Sequence, residues 1–175
     1  GAVENATLDS EEIAGSREKL YARYGPDEVI TIMDGVKAYI ESYHNINYEE
    51  DIKDFPAEIV ERLKRGEKAG NQRIFEAVNN GIVKEAVFIT KPPLMYRKND
   101  ELRVRGRLEF IYHTPTHPAY VQGKGLLLEQ WYCMDLEVSM PPLKDSDAVL
   151  ESLTGISYSQ VVTELSQPKE VKERR

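Results

Sequence analysis

Between Leu102 and Tyr112 the chain sorts its side chains by parity. Leu102, Val104, Gly106, Leu108, Phe110 and Tyr112 fall on one face of an extended segment, and Arg103, Arg105, Arg107 and Glu109 fall on the other. A period of two places successive side chains on opposite sides of a pleat. The segment therefore predicts a strand packed on one face and wetted on the other, which favours antiparallel pairing. Ile82 to Thr90, rich in branched and aromatic residues and closed by Pro92-Pro93, predicts a first strand, and Leu94 to Lys98 a short second one. Asn99-Asp100 supplies the turn that makes a hairpin with the Arg-bearing strand. A last long strand is predicted from Leu126 to Met140, with Glu129, Asp135 and Glu137 on one of its faces.

Ahead of residue 80 the apolar spacing lengthens to three and four, the helical period. Asp9-Ser10-Glu11-Glu12 has the form of a capped helix start, followed by Ile13, Leu20, Tyr21 and Tyr24 and ended by Gly25-Pro26. Asp27 opens the strongest helix, striped by Val29, Ile32, Met33, Val36, Tyr39, Ile40 and Tyr43. A short third helix follows Phe55-Pro56 with Ile59, Val60 and Leu63 inward, up to Gly66. A fourth runs from Asn71 to Asn80, and Asn79-Asn80-Gly81 has the form of a left-handed cap. His44 to Asp54 reads as polar and irregular, and His113 to Gly125 as a long loop. Beyond Pro141-Pro142, residues 146 to 153 predict a short helix, Ile156 to Leu165 fits either helix or strand, and Lys169 to Arg175 reads as a frayed charged end.

Helices first and strands afterwards indicate an α+β domain, with N-terminal helices packed on a curved, mostly antiparallel sheet. The expected boundaries are a helical extension over 1–27, a single α+β domain over 28–165 and a charged tail over 166–175. At 175 residues and 41% hydrophobic content, such a domain buries roughly 70% of its unfolded surface without a metal or disulfide staple. The formal charge of -7 argues against nucleic acid as a direct partner, because neutralising phosphates takes concentrated Lys and Arg. No run of about 20 apolar residues is present to span a bilayer. The start at Gly1-Ala2-Val3, without Met, is expected to reflect removal of a natural N-terminus such as a leader or anchor.

The chemistry-bearing residues are few. Cys133 is the only cysteine, which excludes an internal disulfide, and it reads as a small packed hydrophobe. His113 and His117 are four apart, but Pro115 and Pro118 forbid the helix that would aim both rings at one metal. Gly123-Lys124-Gly125 lacks the spacing of a phosphate-binding loop, and no serine nucleophile elbow occurs. No catalytic, cofactor or metal residue is assigned. Arg103, Arg105 and Arg107 either form a cross-strand ladder with Glu129, Asp135 and Glu137 or present a basic stripe to an acidic partner. Tyr39, Tyr43 and Asp135 are the candidate residues of a pocket under the helices.

Tyr39-Ile40-Glu41-Ser42-Tyr43 with Asn47-Tyr48 at the end of the long helix, Val104-Arg105-Gly106-Arg107-Leu108 in the sheet, and the placing of Gly125 to Trp131 give the chain a resemblance to the nuclear-transport-factor-2-like superfamily. Within it the chain is similar to periplasmic domains of inner-membrane assembly proteins of type IV secretion and conjugation systems, over about residues 28 to 140. The resemblance implies a nuclear-transport-factor-2-like cone and no catalysis or cofactor. It also implies a periplasmic location, an N-terminal membrane anchor, self-association into a homo-oligomer, and protein partners in a secretion or conjugation channel. The Pro-rich stretch from His113 to Pro118 departs from that pattern. The competing expectation is a small-molecule-binding protein or enzyme on the same fold, and a weaker one is a cytoplasmic adaptor.

Overall fold

The computed structural model describes residues 25–98, 101–140 and 161–172. The helix expected at 9–24, the Asn99-Asp100 turn and the helix expected at 146–153 lie outside them. The described chain is α+β: five α-helices and a seven-stranded sheet with the order β1-β2-β4-β5-β6, β3 pairing with β4 and β7 with β5. In chain order these are α1 (Pro26–His44), β1 (Ile46–Asn47), α2 (Tyr48–Ile52), α3 (Ala57–Lys64), α4 (Gln72–Asn80), β2 (Val83–Ile89), β3 (Met95–Lys98), β4 (Glu101–His113), α5 (Pro118–Gln122), β5 (Trp131–Met140), β6 (Val161–Glu164) and β7 (Lys169–Glu170). None of the described helices is long and apolar enough to cross a membrane.

The pairs β1–β2, β3–β4 and β5–β6 are antiparallel, and β3 pairs with β4 as expected, Met95 opposite Val104 and Lys98 opposite Glu101. Cross-strand contacts give the same sense to β2–β4 and β4–β5. Thr90 meets Arg105 while Glu85 meets His113, and Arg105 meets Glu137 while Phe110 meets Tyr132. The chain divides into two compact units, one of Gly1–Ser42, Val87–Glu109 and Cys133–Lys169, the other of Tyr43–Ala86, Phe110–Tyr132 and Glu170–Arg175.

In the first unit, α1 buries Val29, Ile32, Met33, Val36 and Ile40, five positions of the expected stripe. Tyr39 is half-buried. Along β4 the even positions from Leu102 to Leu108 are buried and the Arg positions half-buried, as the alternation requires. Gly106 is the point of closest approach. A Cβ there would sit 2.3 Å from Phe88 Cζ and 2.8 Å from the Ile89 carbonyl oxygen, so no larger residue fits while β2 lies where it does.

In the second unit, Ile52, Leu63, Ala69 and Ile74 form a core under α2, α3 and α4, with Phe55, Ile59, Val60, Phe75 and Val78 packed against it. Asn71 caps α4 by accepting from the Ile74 amide at 2.9 Å, and Gly81 ends it in the left-handed region at φ 60°. Thr116, fully buried, accepts from the Val83 amide at 2.8 Å and ties the His113–Gly125 segment to β2.

Three expectations are corrected. Residues 44–54 are not irregular: Ile46–Asn47 pairs with β2, and Asn47 accepts from the Glu50 amide to start α2. Leu126–Gln130 is not strand, because Glu129 adopts φ 59°, a left-handed conformation that interrupts a pleat, and the Leu126 amide closes α5 by donating to Val121. Lys169–Glu170 does not fray: it pairs with β5, and the Val171 amide donates to the Trp131 carbonyl at 2.9 Å.

Candidate functional site

The Arg row resolves into ion pairs. Glu137, with a side chain only 8% exposed, accepts from Arg103 at 2.9 Å and Arg105 at 2.7 Å, and from the Tyr96 hydroxyl in a short hydrogen bond. Arg103 also reaches Glu101 at 2.8 Å. Register explains the convergence, since Tyr96 stands opposite Arg103 and shares its face. Burial pushes the Glu137 carboxyl up, but the Tyr96 hydroxyl and the two guanidinium groups outweigh it and hold the group below the usual carboxylate range. Arg107 pairs along its own strand with Glu109 at 3.0 Å. The expected ladder is thus present for Arg103 and Arg105 with Glu137. Glu129 lies off the strand and has no part in it.

Asp135 has a buried Oδ1 without a hydrogen-bond partner among the described residues, while its amide donates to the Ser166 hydroxyl. Burial raises its carboxyl above the ordinary range, against the pull of Arg107, Lys169 and Arg105. Burial likewise pushes the Cys133 thiol up, the opposite of what a nucleophile needs. Tyr43 is 55% exposed, with the Arg73 guanidinium 5.3 Å from its ring centroid. Tyr39, Tyr43 and Asp135 line no cavity in common with the cleft described below.

Two histidines occupy opposite environments in the second unit. His44, half-buried beside the Lys84 ammonium at 3.1 Å, is lowered to about 3 by desolvation and by the charges of Lys84 and Arg73. His113 places Nδ1 2.8 Å from Glu129 and Nε2 3.1 Å from Glu85, and the Glu129 hydrogen bond leads the effects that raise it. The raised His113 contributes stability that is complete below pH 6.5 and lost as pH rises through its folded pKa. The depressed His44 acts conversely, removing stability as pH falls from 6.5 towards 3. Proton NMR titration should therefore show the His44 ring neutral throughout pH 5 to 8 and the His113 ring titrating above 6.5. His113 titrating below that value would contradict the bridge. Among the described residues no group of three or more His, Cys, Asp or Glu could hold a metal ion.

The second unit also carries an open cleft of about 830 Å³. Its apolar wall is Ile52, Val60, Leu63 and Val78, and its rim carries Lys53, Lys64, Arg65, Asn79 and His117. Lys53 is held by Glu50 and Arg65 by Glu67, each at 2.8 Å. No protein family, curated protein or solved structure matches this chain. Function is therefore read from these residues and their geometry.

Sequence reasoning passed over the cleft because its residues come from four separated segments. One signal was available: Asn47 followed by Glu49, Glu50 and Asp51 is a capped helix start with an acidic first turn, and it announces α2, one wall of the cleft.

Proposed function

We propose that this chain is a non-catalytic interaction domain on a nuclear-transport-factor-2-like cone. It associates with copies of itself and with protein components of a type IV secretion or conjugation channel, on the periplasmic side of an inner membrane that an N-terminal segment anchors it to. The α+β architecture with an antiparallel sheet is compatible with that cone, and the resemblance along α1 and β4 supplies the partner class.

The observation that supports association is the unequal treatment of the two sheet margins. Along β2, β1 pairs at Val83 and Lys84. The Asn45 side-chain amide then takes both backbone groups of Ala86 at 2.9 Å. Lys37 donates to the Phe88 carbonyl at 2.9 Å while Glu41 accepts from the Phe88 amide at 2.9 Å. Alternate residues of a strand present their amides to the same edge, so these three devices close that margin. At the other margin, β6 pairs only with β5 among the described strands, and every one of its residues is exposed, Val161 by 60%. An edge that no further described strand covers, bearing Val161 and Val162, suits addition of a strand from a second copy, a self-complementary antiparallel arrangement.

Sedimentation velocity over a concentration series tests this. The native chain should dimerise or assemble further, and Val162→Lys, which places a charge in the middle of the edge, should weaken association at least about tenfold with an unchanged circular dichroism spectrum. A native chain that stays monomeric at high concentration would overturn the reading.

A further inference from the structure

The cleft of the second unit has the makings of a ligand site independent of the sheet margin. Its volume of about 830 Å³ falls in the range of small-molecule pockets, roughly 300 to 1,000 Å³. Ile52 and Leu63 are buried in its floor, with Val60 and Val78 half-buried beside them. Around this apolar floor stand polar side chains of two kinds. Lys53 and Arg65 are neutralised by Glu50 and Glu67. Lys64, Asn79 and His117 line the same cleft with no side-chain hydrogen bond or ion pair to any described residue. A cation, an amide donor and an imidazole therefore remain available at its mouth, in a chain whose net charge is -7. With Lys53 and Arg65 paired to Glu50 and Glu67, Lys64 is the lining cation without an ion pair among the described residues, and Glu49 is the acid in the lining.

We infer that this cleft binds a small amphiphilic carboxylate, with the apolar body on Ile52, Val60, Leu63 and Val78 and the carboxylate engaged by Lys64, Asn79 and His117. Apolar burial supplies most of the affinity and the charge-assisted hydrogen bonds select the head group. A concave volume of this size favours a small molecule over a docked protein surface, which needs a broad interface of about 800 Å² on each partner.

The probe is decanoate, titrated calorimetrically into the full chain, with decanol as the uncharged control and an acidic peptide as the competing occupant. Decanoate should bind saturably and more tightly than decanol. Lys64→Gln and His117→Gln, both at exposed positions where folding is not at stake, should each weaken decanoate about tenfold and leave decanol unchanged. In two-dimensional NMR the shifts should centre on residues 48–66 and 78–79. Failure of decanoate to saturate, binding indifferent to both substitutions, or saturable binding of the peptide alone would each overturn the inference. Val162→Lys should bind decanoate as the native chain does, which separates this result from that of the strand-edge test.

Discussion

A Glu137→Ala chain is expected to lose about 3 to 5 kcal/mol of folding stability, the usual consequence of removing one partner from a buried charge cluster. The reason is what remains behind. Arg103, Arg105 and the Tyr96 hydroxyl all direct donors at a carboxylate with an 8% exposed side chain, and without it two guanidinium groups stand half-buried and under-satisfied. Glu137→Gln, which keeps the volume and one acceptor, should cost less. Arg103→Met, Arg105→Met and Glu137→Leu combined should recover most of the loss, because apolar groups of similar size need no partner. Urea denaturation measures all three. The pH dependence follows from the depressed Glu137 carboxyl: its contribution is present above pH 4.5 and is lost as pH falls through its folded pKa. A Glu137→Ala cost under about 1 kcal/mol would mean that the network behaves as an exposed surface pair.

Gly106→Ala is the second large effect, and its sign opposes backbone propensity. Glycine within a strand ordinarily weakens it by roughly 0.5 to 1 kcal/mol relative to alanine, so propensity alone would have alanine stabilise the chain. Here the added methyl would lie 2.3 Å and 2.6 Å from two ring atoms of Phe88 and 2.8 Å from the Ile89 carbonyl oxygen. The ring can turn only within a fully packed core, and the carbonyl belongs to the neighbouring strand. The expected loss is about 3 kcal/mol, at the upper end of overpacking costs. Phe88→Leu should relieve part of it, so the double variant should be less destabilised than the sum of the single ones. Thermal unfolding of the four chains checks this, and a Gly106→Ala chain as stable as the native one would contradict the close approach.

The parity of β4 and the three-and-four spacing of α1 were legible because each pattern reports a local geometry repeated over many residues. Leu102 to Leu108 and Val29 to Ile40 ended where their spacing placed them. Short elements were not legible. β1 has two residues and takes its identity from β2, and Leu126–Gln130 carries a strand-like pattern that the left-handed Glu129 interrupts. The Arg row shows the same division. Its presence on one face followed from period two, whereas the choice of Glu137 over Glu129 as its partner depended on where β5 begins.

The sequence by itself determined the class of the fold, the faces of its long elements and the C-terminal cap of α4, because these depend on periodicity and on residue types within a few positions of each other. Only the tertiary structure decided which carboxylate the arginines share, which devices close the margin along β2 and which side chains surround the cleft. Those outcomes depend on register and on contacts between distant segments, and a shift of one residue in the pairing of β4 with β5 would carry the Arg row or its carboxylate to the opposite face.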